Sequence, residues 1–151
     1  MKILVYGAGV LGSIYAARLQ DAGNDVTLVA RGQRLADILQ HGIILEDYAT
    51  GKRTITPVKV IEEMSPEEAY DLALVIVRKN QLDPVLDKLA VAPLIPDILF
   101  LFNNAAGPGE MIRAVGRERV LLGFPGGGGM RDGPVICYML SDRRRQPTTI
   151  G

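Results

Sequence analysis

The first thirty residues constrain this chain more than any other stretch. Lys2–Tyr6 is a short apolar run, the loop Gly7-Ala8-Gly9-Val10-Leu11-Gly12 follows at once, and a helix-like stretch then runs from Val10 to Ala22 before Gly23-Asn24 closes it. A buried strand that turns through G-x-G-x-x-G into a helix has few architectures open to it. The first glycine permits the tight turn, the second lets a phosphate approach the backbone, and the third lets helix and strand pack closely. The helix start adds unpaired N–H groups and the positive end of a dipole, which suit an anion. Gly7, Ala8, Gly9, Val10, Leu11 and Gly12 are therefore expected to hold a dinucleotide pyrophosphate. Within the helix, Leu11, Tyr15, Leu19 and Ala22 share an apolar face and Ser13 and Gln20 point away. Arg18 falls inside that stripe and must reach outward or meet a partner.

The pattern then alternates. Asp25–Ala30 reads as a strand, and Leu35, Ile38 and Leu39 mark a short helix stopped near His41-Gly42. Ile43–Asp47 and Thr54–Ile61 look like two strands around a turn, an antiparallel excursion. Asp71–Val77 is nearly all apolar, as a central parallel strand covered on both faces should be. A helix from Leu82 to Leu89 follows, with Pro84 confined to its first turn. Ile98–Phe102 and Val120–Phe124 read as strands on either side of a helix from Gly109 to Val115. Val135–Leu140 and Thr148–Ile150 are strand-like. The expected fold is α/β: a Rossmann-type, doubly wound, mostly parallel sheet with a small antiparallel excursion, in one domain over residues 1–151.

The bulk properties exclude other classes. Hydrophobic residues make up 48% and charged residues 23% of the 151, which suits a folded globular chain rather than a disordered one. Basic and acidic side chains balance at 17 each, so nucleic acid is not an expected partner. The longest apolar candidate for a membrane span, Pro93–Phe102, is broken by prolines and Asp97. The single Cys137 excludes an internal disulfide and a cysteine-based zinc site, and suits a reducing cytosol, so a cytoplasmic location is expected.

A domain that prefers NAD places an acid about 20 residues past the glycine loop, for the ribose 2′-hydroxyl. Ala30-Arg31-Gly32-Gln33-Arg34 stands there instead. Arg31, with Arg34 as a second candidate, can form charge-assisted bonds to a 2′-phosphate, which points to NADP(H). For Arg34 a solvated surface charge is the default expectation. In open parallel sheets ligands sit beyond the carboxyl ends of the strands. The expected strands end at Gly7, at Arg31, at Arg78-Lys79-Asn80-Gln81, at Asn103-Asn104 and at Pro125 with its four glycines, outlining a cleft for an anionic ligand.

Taken together, MKILVYGAGVLGSIYAARLQDAGNDVTLVAR, LALVIVRKNQL and LFNNAAGPGE resemble the N-terminal domain of ketopantoate reductases (2-dehydropantoate 2-reductases), and LLGFPGGGGMRDG continues the likeness weakly. The resemblance implies NADPH-dependent reduction of a small 2-keto acid to a 2-hydroxy acid by a two-domain protein. It carries the family's glycine loop onto Gly7, Gly9 and Gly12, and its 2′-phosphate arginine onto Arg31. The family's cofactor-contacting Lys-x-x-Gln falls on Arg78 and Gln81, with Lys79 beside the replaced lysine. Its active-site asparagine falls on Asn104, next to Asn103. A G-T-T-like segment of the family is replaced by Pro125 and Gly126–Gly129, a departure that bears on the substrate.

The same resemblance places the catalytic lysine and the substrate-binding glutamate in a helical C-terminal domain. Hydride transfer needs the keto acid held against the nicotinamide and a proton donor near its oxygen. No catalytic residue is assigned within the chain, which is expected to be the cofactor-binding part of a longer reductase, inactive by itself. Two alternatives stay open: a non-catalytic dinucleotide-binding regulatory module, and the cofactor domain of a different hydroxy-acid dehydrogenase. An exposed apolar patch on the cleft side, and self-association through it, would follow from a missing partner domain.

The remaining features have plainer expectations. His41 caps or is solvated at a helix end, and Cys137 is a small core residue. Arg143-Arg144-Arg145 forms a solvated turn. Gly126–Gly129 is either a flexible connector or a loop that closes over nicotinamide.

Overall fold

The computed structural model describes residues 1–104, 106–140 and 147–151. The Arg143-Arg144-Arg145 turn expected from the sequence lies outside the described residues. In chain order the elements are β1 (Lys2–Tyr6), α1 (Val10–Asp21), β2 (Asp25–Val29), α2 (Gly32–His41), β3 (Ile43–Asp47), β4 (Arg53–Thr56), β5 (Lys59–Ile61) and β6 (Leu72–Val75). They continue with α3 (Asp83–Ala90), β7 (Asp97–Leu101), α4 (Gly109–Val115), β8 (Val120–Phe124), β9 (Gly128–Asp132), β10 (Val135–Met139) and β11 (Thr149–Ile150).

The main sheet has the order β11-β8-β7-β6-β1-β2-β5. Pairings from β8 across to β5 are parallel, and β11 closes the other edge antiparallel to β8. Both faces of this sheet are buried, which is why Leu72–Val75 and Ile98–Leu101 read as unbroken apolar runs. One face carries α3 and α4 over Leu4, Tyr6, Ala73, Val75, Ile98 and Phe100. The chain leaves β1 toward β2 on one side and returns to β6 on the other. The strand order therefore reverses between β1 and β6, and a crevice opens there at the carboxyl ends.

The other face carries the expected antiparallel excursion, which belongs to a second sheet. Four strands pair in the order β4-β3-β10-β9, with β3 parallel to β10 and the outer pairs antiparallel. The stretch Thr54–Ile61 is not one strand. Pro57 has no N–H to continue a ladder, and the chain divides there into β4 in the small sheet and β5 in the large one.

This small sheet covers α1, which is thus sandwiched. Ile14, Ala16 and Ala17 share a core cluster with Val5 and Leu28 below and with Ile43, Leu45, Ile136 and Tyr138 above. A helix covered on two sides has no single apolar stripe. The expected face is accordingly displaced: Gly12, Ser13, Ile14, Ala16 and Ala17 are buried, whereas Leu11, Tyr15 and Leu19 are half-buried. Arg18 does meet a partner, donating to the Tyr138 hydroxyl at 2.5 Å with its guanidinium over that ring. The second half of the glycine run is strand rather than loop. Gly128 and Gly129 lie in β9, where Gly129 pairs with Tyr138 and a Cβ would stand 2.9 Å from the Tyr138 Cα. Cys137 is half-buried in β10 with its Sγ 3.9 Å from Glu46 Oε1, and His41 ends α2 exposed.

Candidate functional site

The glycine loop sits at the reversal point, and its three glycines separate by what surrounds them. Gly7 has φ +116°, and a Cβ there would run into the Ile76 carbonyl at the end of β6. Gly12 lies so close under the loop that a Cβ would run into the Gly7 carbonyl oxygen. Those two positions serve the packing of strand, loop and helix. Gly9 is different: it is exposed, it caps α1 with extended backbone (φ −71°, ψ −169°), and among the described residues no atom lies within 4 Å of where its Cβ would stand. The first helical bond runs from the Ser13 N–H to the Gly9 carbonyl at 2.9 Å, so the N–H groups of Val10, Leu11 and Gly12 precede the ladder. No acidic residue occupies the first turn of α1. The open space over Gly9, bordered by helix-start N–H groups, suits a pyrophosphate.

The two arginines after β2 have opposite fates. Arg31 is exposed and caps α2 at the carboxyl end of β2, on the same sheet edge as the loop. Its charge is felt by Glu63, whose carboxyl is held below the usual range first by its hydrogen bond to Lys88 and also by Arg31. Arg34, expected at the surface, is buried at 6% exposure. Its Nε donates to the Ala8 carbonyl (3.2 Å), its Nη2 to Ser13 Oγ (2.9 Å) and its Nη1 to the Pro134 carbonyl (2.9 Å). Arg34 therefore has no reach toward a ribose phosphate and is removed from that role.

Beyond β6, Arg78 leads into a single 3₁₀ turn over Lys79–Gln81. The Gln81 side chain turns back and accepts from the Arg78 N–H at 3.2 Å. Lys79 is held by an ion pair with Glu110 on α4, while Arg78 is exposed at the cleft edge. Beyond β7, Asn103 is exposed and Asn104 is committed locally. Its Nδ2 donates to the Gly107 carbonyl (2.6 Å) and its Oδ1 accepts from the Ala106 N–H (3.3 Å). Asn104 also lines an open pocket of about 380 Å³, of mixed polar and apolar character, with Phe100, Phe102, Met111, Phe124 and Thr149.

Residues 3–151 match the family described as ketopantoate reductase PanE/ApbA. The chain belongs to that family. A 2-dehydropantoate 2-reductase of Mesorhizobium japonicum is 35% identical over 99 residues, which is 64% of this chain and 29% of that protein. One from Listeria monocytogenes is 28% identical over 140 residues, 91% of this chain and 47% of that protein. Among solved structures, D-mandelate dehydrogenase with NADH and anilino(oxo)acetate superposes with a TM-score of 0.80 at 22% identity. That match covers 95% of this chain and 50% of the other, and it shows a shared fold. The chain spans less than half the length of these two reductases.

In this ketopantoate reductase-family chain, the parallel order of the strands gathers Gly7–Gly12, Arg31, Arg78, Asn103 and Asn104 along one edge of the sheet. Lys79 and Gln81 share that edge with their side chains already engaged. Sequence reasoning misplaced Arg34 and Ser13 and missed Pro134, which together hold the loop from behind. Nothing in the residue pattern signals this arrangement, because it depends on the small sheet covering α1. Among the described residues no helix is long and apolar enough to cross a membrane, and no cluster of three metal-ligating side chains occurs.

Proposed function

We propose that this chain is the NADP(H)-binding domain of an oxidoreductase that reduces a small 2-keto acid to a 2-hydroxy acid. The observation that carries this reading is the exposed, sterically open Gly9 at the strand-order reversal, with Arg31 beside it on the same edge. Bound there, the nicotinamide cofactor would supply the hydride. The chain's own residues bind and orient: helix-start N–H groups and Gly9 take the pyrophosphate, and Arg31 takes the 2′-phosphate. Arg78, rather than the ion-paired Lys79, is the cation left for the cofactor at the end of β6, and Asn103 and Asn104 border the nicotinamide end.

The proton donor and the residues that seat the keto acid are assigned to a helical domain outside these 151 residues, in keeping with the longer relatives. Phe124, Met139, Leu140 and Ile150 are large apolar side chains exposed near the ends of β8, β10 and β11. They are the side chains proposed to meet that domain, or a second copy of the chain when it is alone. A cytoplasmic location is part of the same reading.

Steady-state oxidation of NADPH by the full-length protein, with ketopantoate and a panel of other 2-keto acids, tests the proposal. Turnover of at least one keto acid, dependent on NADPH, is expected. Binding of NADPH without turnover of any of them would favour a regulatory module, and turnover with NADH alone would favour a different hydroxy-acid dehydrogenase.

A further inference from the structure

Arg34 is a buried cation whose three hydrogen-bond partners are all uncharged oxygens. A guanidinium taken out of water normally finds a carboxylate, because desolvating a charge is costly. Burial, and the nearby charge of Arg131 on β9, both work against the charged form of Arg34. Its fork nonetheless joins three separate parts of the fold. The Ala8 carbonyl belongs to the glycine loop, Ser13 Oγ to the first turns of α1, and the Pro134 carbonyl to the turn between β9 and β10. Ser13 Oγ in turn donates to the same Ala8 carbonyl at 3.3 Å. The peptide that joins Ala8 to Gly9, the residue with open space for a phosphate, is therefore held through its oxygen by two donors from behind.

From this geometry we infer that Arg34 is a positioning residue for pyrophosphate binding: it fixes the Ala8–Gly9 peptide and sets a buried positive charge behind the loop. The nearby Asp37 carboxylate favours that charge without bonding to it. The inference rests on the dinucleotide reading of the loop. The three bonds leave from Nε, Nη1 and Nη2, three atoms of a rigid fork, and an ammonium, whose three donors leave from one nitrogen, cannot span the same oxygens in place. The tie to Pro134 also makes the small sheet part of the loop's support, which gives the β9–β10 hairpin a role in cofactor binding.

The test is a fluorescence and calorimetric titration of the full-length protein with NADPH, NADH and adenosine 2′-monophosphate, for the native sequence, Arg34→Lys and Ser13→Ala. Adenosine 2′-monophosphate carries no pyrophosphate and so does not report on the loop. Arg34→Lys is expected to weaken NADPH and NADH by the same factor, about tenfold, with adenosine 2′-monophosphate unchanged. Ser13→Ala, which removes one partner and little volume, is expected to weaken both dinucleotides about threefold. Equal losses for all three ligands would mean a general structural role and overturn the inference, as would unchanged dinucleotide affinity in both variants. Failure of the native protein to bind either dinucleotide would overturn the reading of the loop and the inference with it. Should Arg34→Lys not fold, Ser13→Ala decides alone by the same pattern.

Discussion

The carbonyl oxygen of Gly7 occupies the space that a side chain on Gly12 would need, whereas no described residue occupies the space in front of Gly9. Two glycines of one motif thus answer to the protein, and the third is left open for the proposed ligand. Gly12→Ala is expected to cost about 3 kcal/mol or more, because backbone must move to admit the methyl. Gly9→Ala is expected to leave the melting temperature within about 2 °C and to weaken dinucleotide binding about tenfold or more. Thermal unfolding and cofactor titration of the two variants check this. A Gly9→Ala protein that melts early yet binds normally would reverse the assignment.

Arg31 stands exposed at the end of β2. A charge-assisted bond to phosphate is worth more than one to a hydroxyl. Arg31→Ala is therefore expected to weaken NADPH by about tenfold to a hundredfold and NADH by less than about twofold. Equal losses for both cofactors, measured by titration, would mean that Arg31 does not read the 2′-phosphate.

Tyr70 lies 2% exposed against the β2 side of the sheet, and among the described residues its hydroxyl has no hydrogen-bond partner of good geometry, although the Glu68 carboxylate and the Thr27 hydroxyl lie close to it. Burial, then the approach of the Glu68 carboxylate to that hydroxyl, pushes its pKa up to about 12 from the ordinary 10.0. Its folded-state pKa is thus above the unfolded one. The unfolded chain releases this proton first as pH rises, so the stability associated with it is full below pH 10 and falls between pH 10 and about 12. Tyr70→Phe removes a hydroxyl without a partner of good geometry and is expected to be neutral or slightly stabilising at pH 7. It should also lose part of the alkaline fall. Denaturant melts of both proteins at pH 7, 10 and 11 test the pair of effects; parallel pH profiles would contradict them.

What was legible in the sequence was whatever depends on local chemistry or on burial from both sides. The parallel strands showed as apolar runs, and the glycine loop showed by its spacing and its place between strand and helix. The place of Arg31 at the end of β2 was legible because it is found by counting from that loop. Arg34 was not, because its burial comes from Pro134, which is remote in sequence and in the other sheet. The face of α1 was misassigned for the same reason: β3 and β10 cover the side that a single-sheet fold would leave wet. Gly126–Gly129 looked like flexible loop by composition, yet the close approach of Tyr138 explains a glycine at position 129 of a strand. At Asn104 the family resemblance named the position. The structure adds that its amide already anchors the 104–107 loop.

The edge bearing Gly9 and Arg31 is proposed to hold NADP(H). Nicotinamide fluorescence titration of the native protein with NADPH, followed by displacement with NADP⁺ and with NAD⁺, is the decisive experiment. Saturable NADPH binding displaced at about tenfold or more lower concentration by NADP⁺ than by NAD⁺ is the predicted result. No binding, or displacement by NAD⁺ at equal or lower concentration, would contradict it.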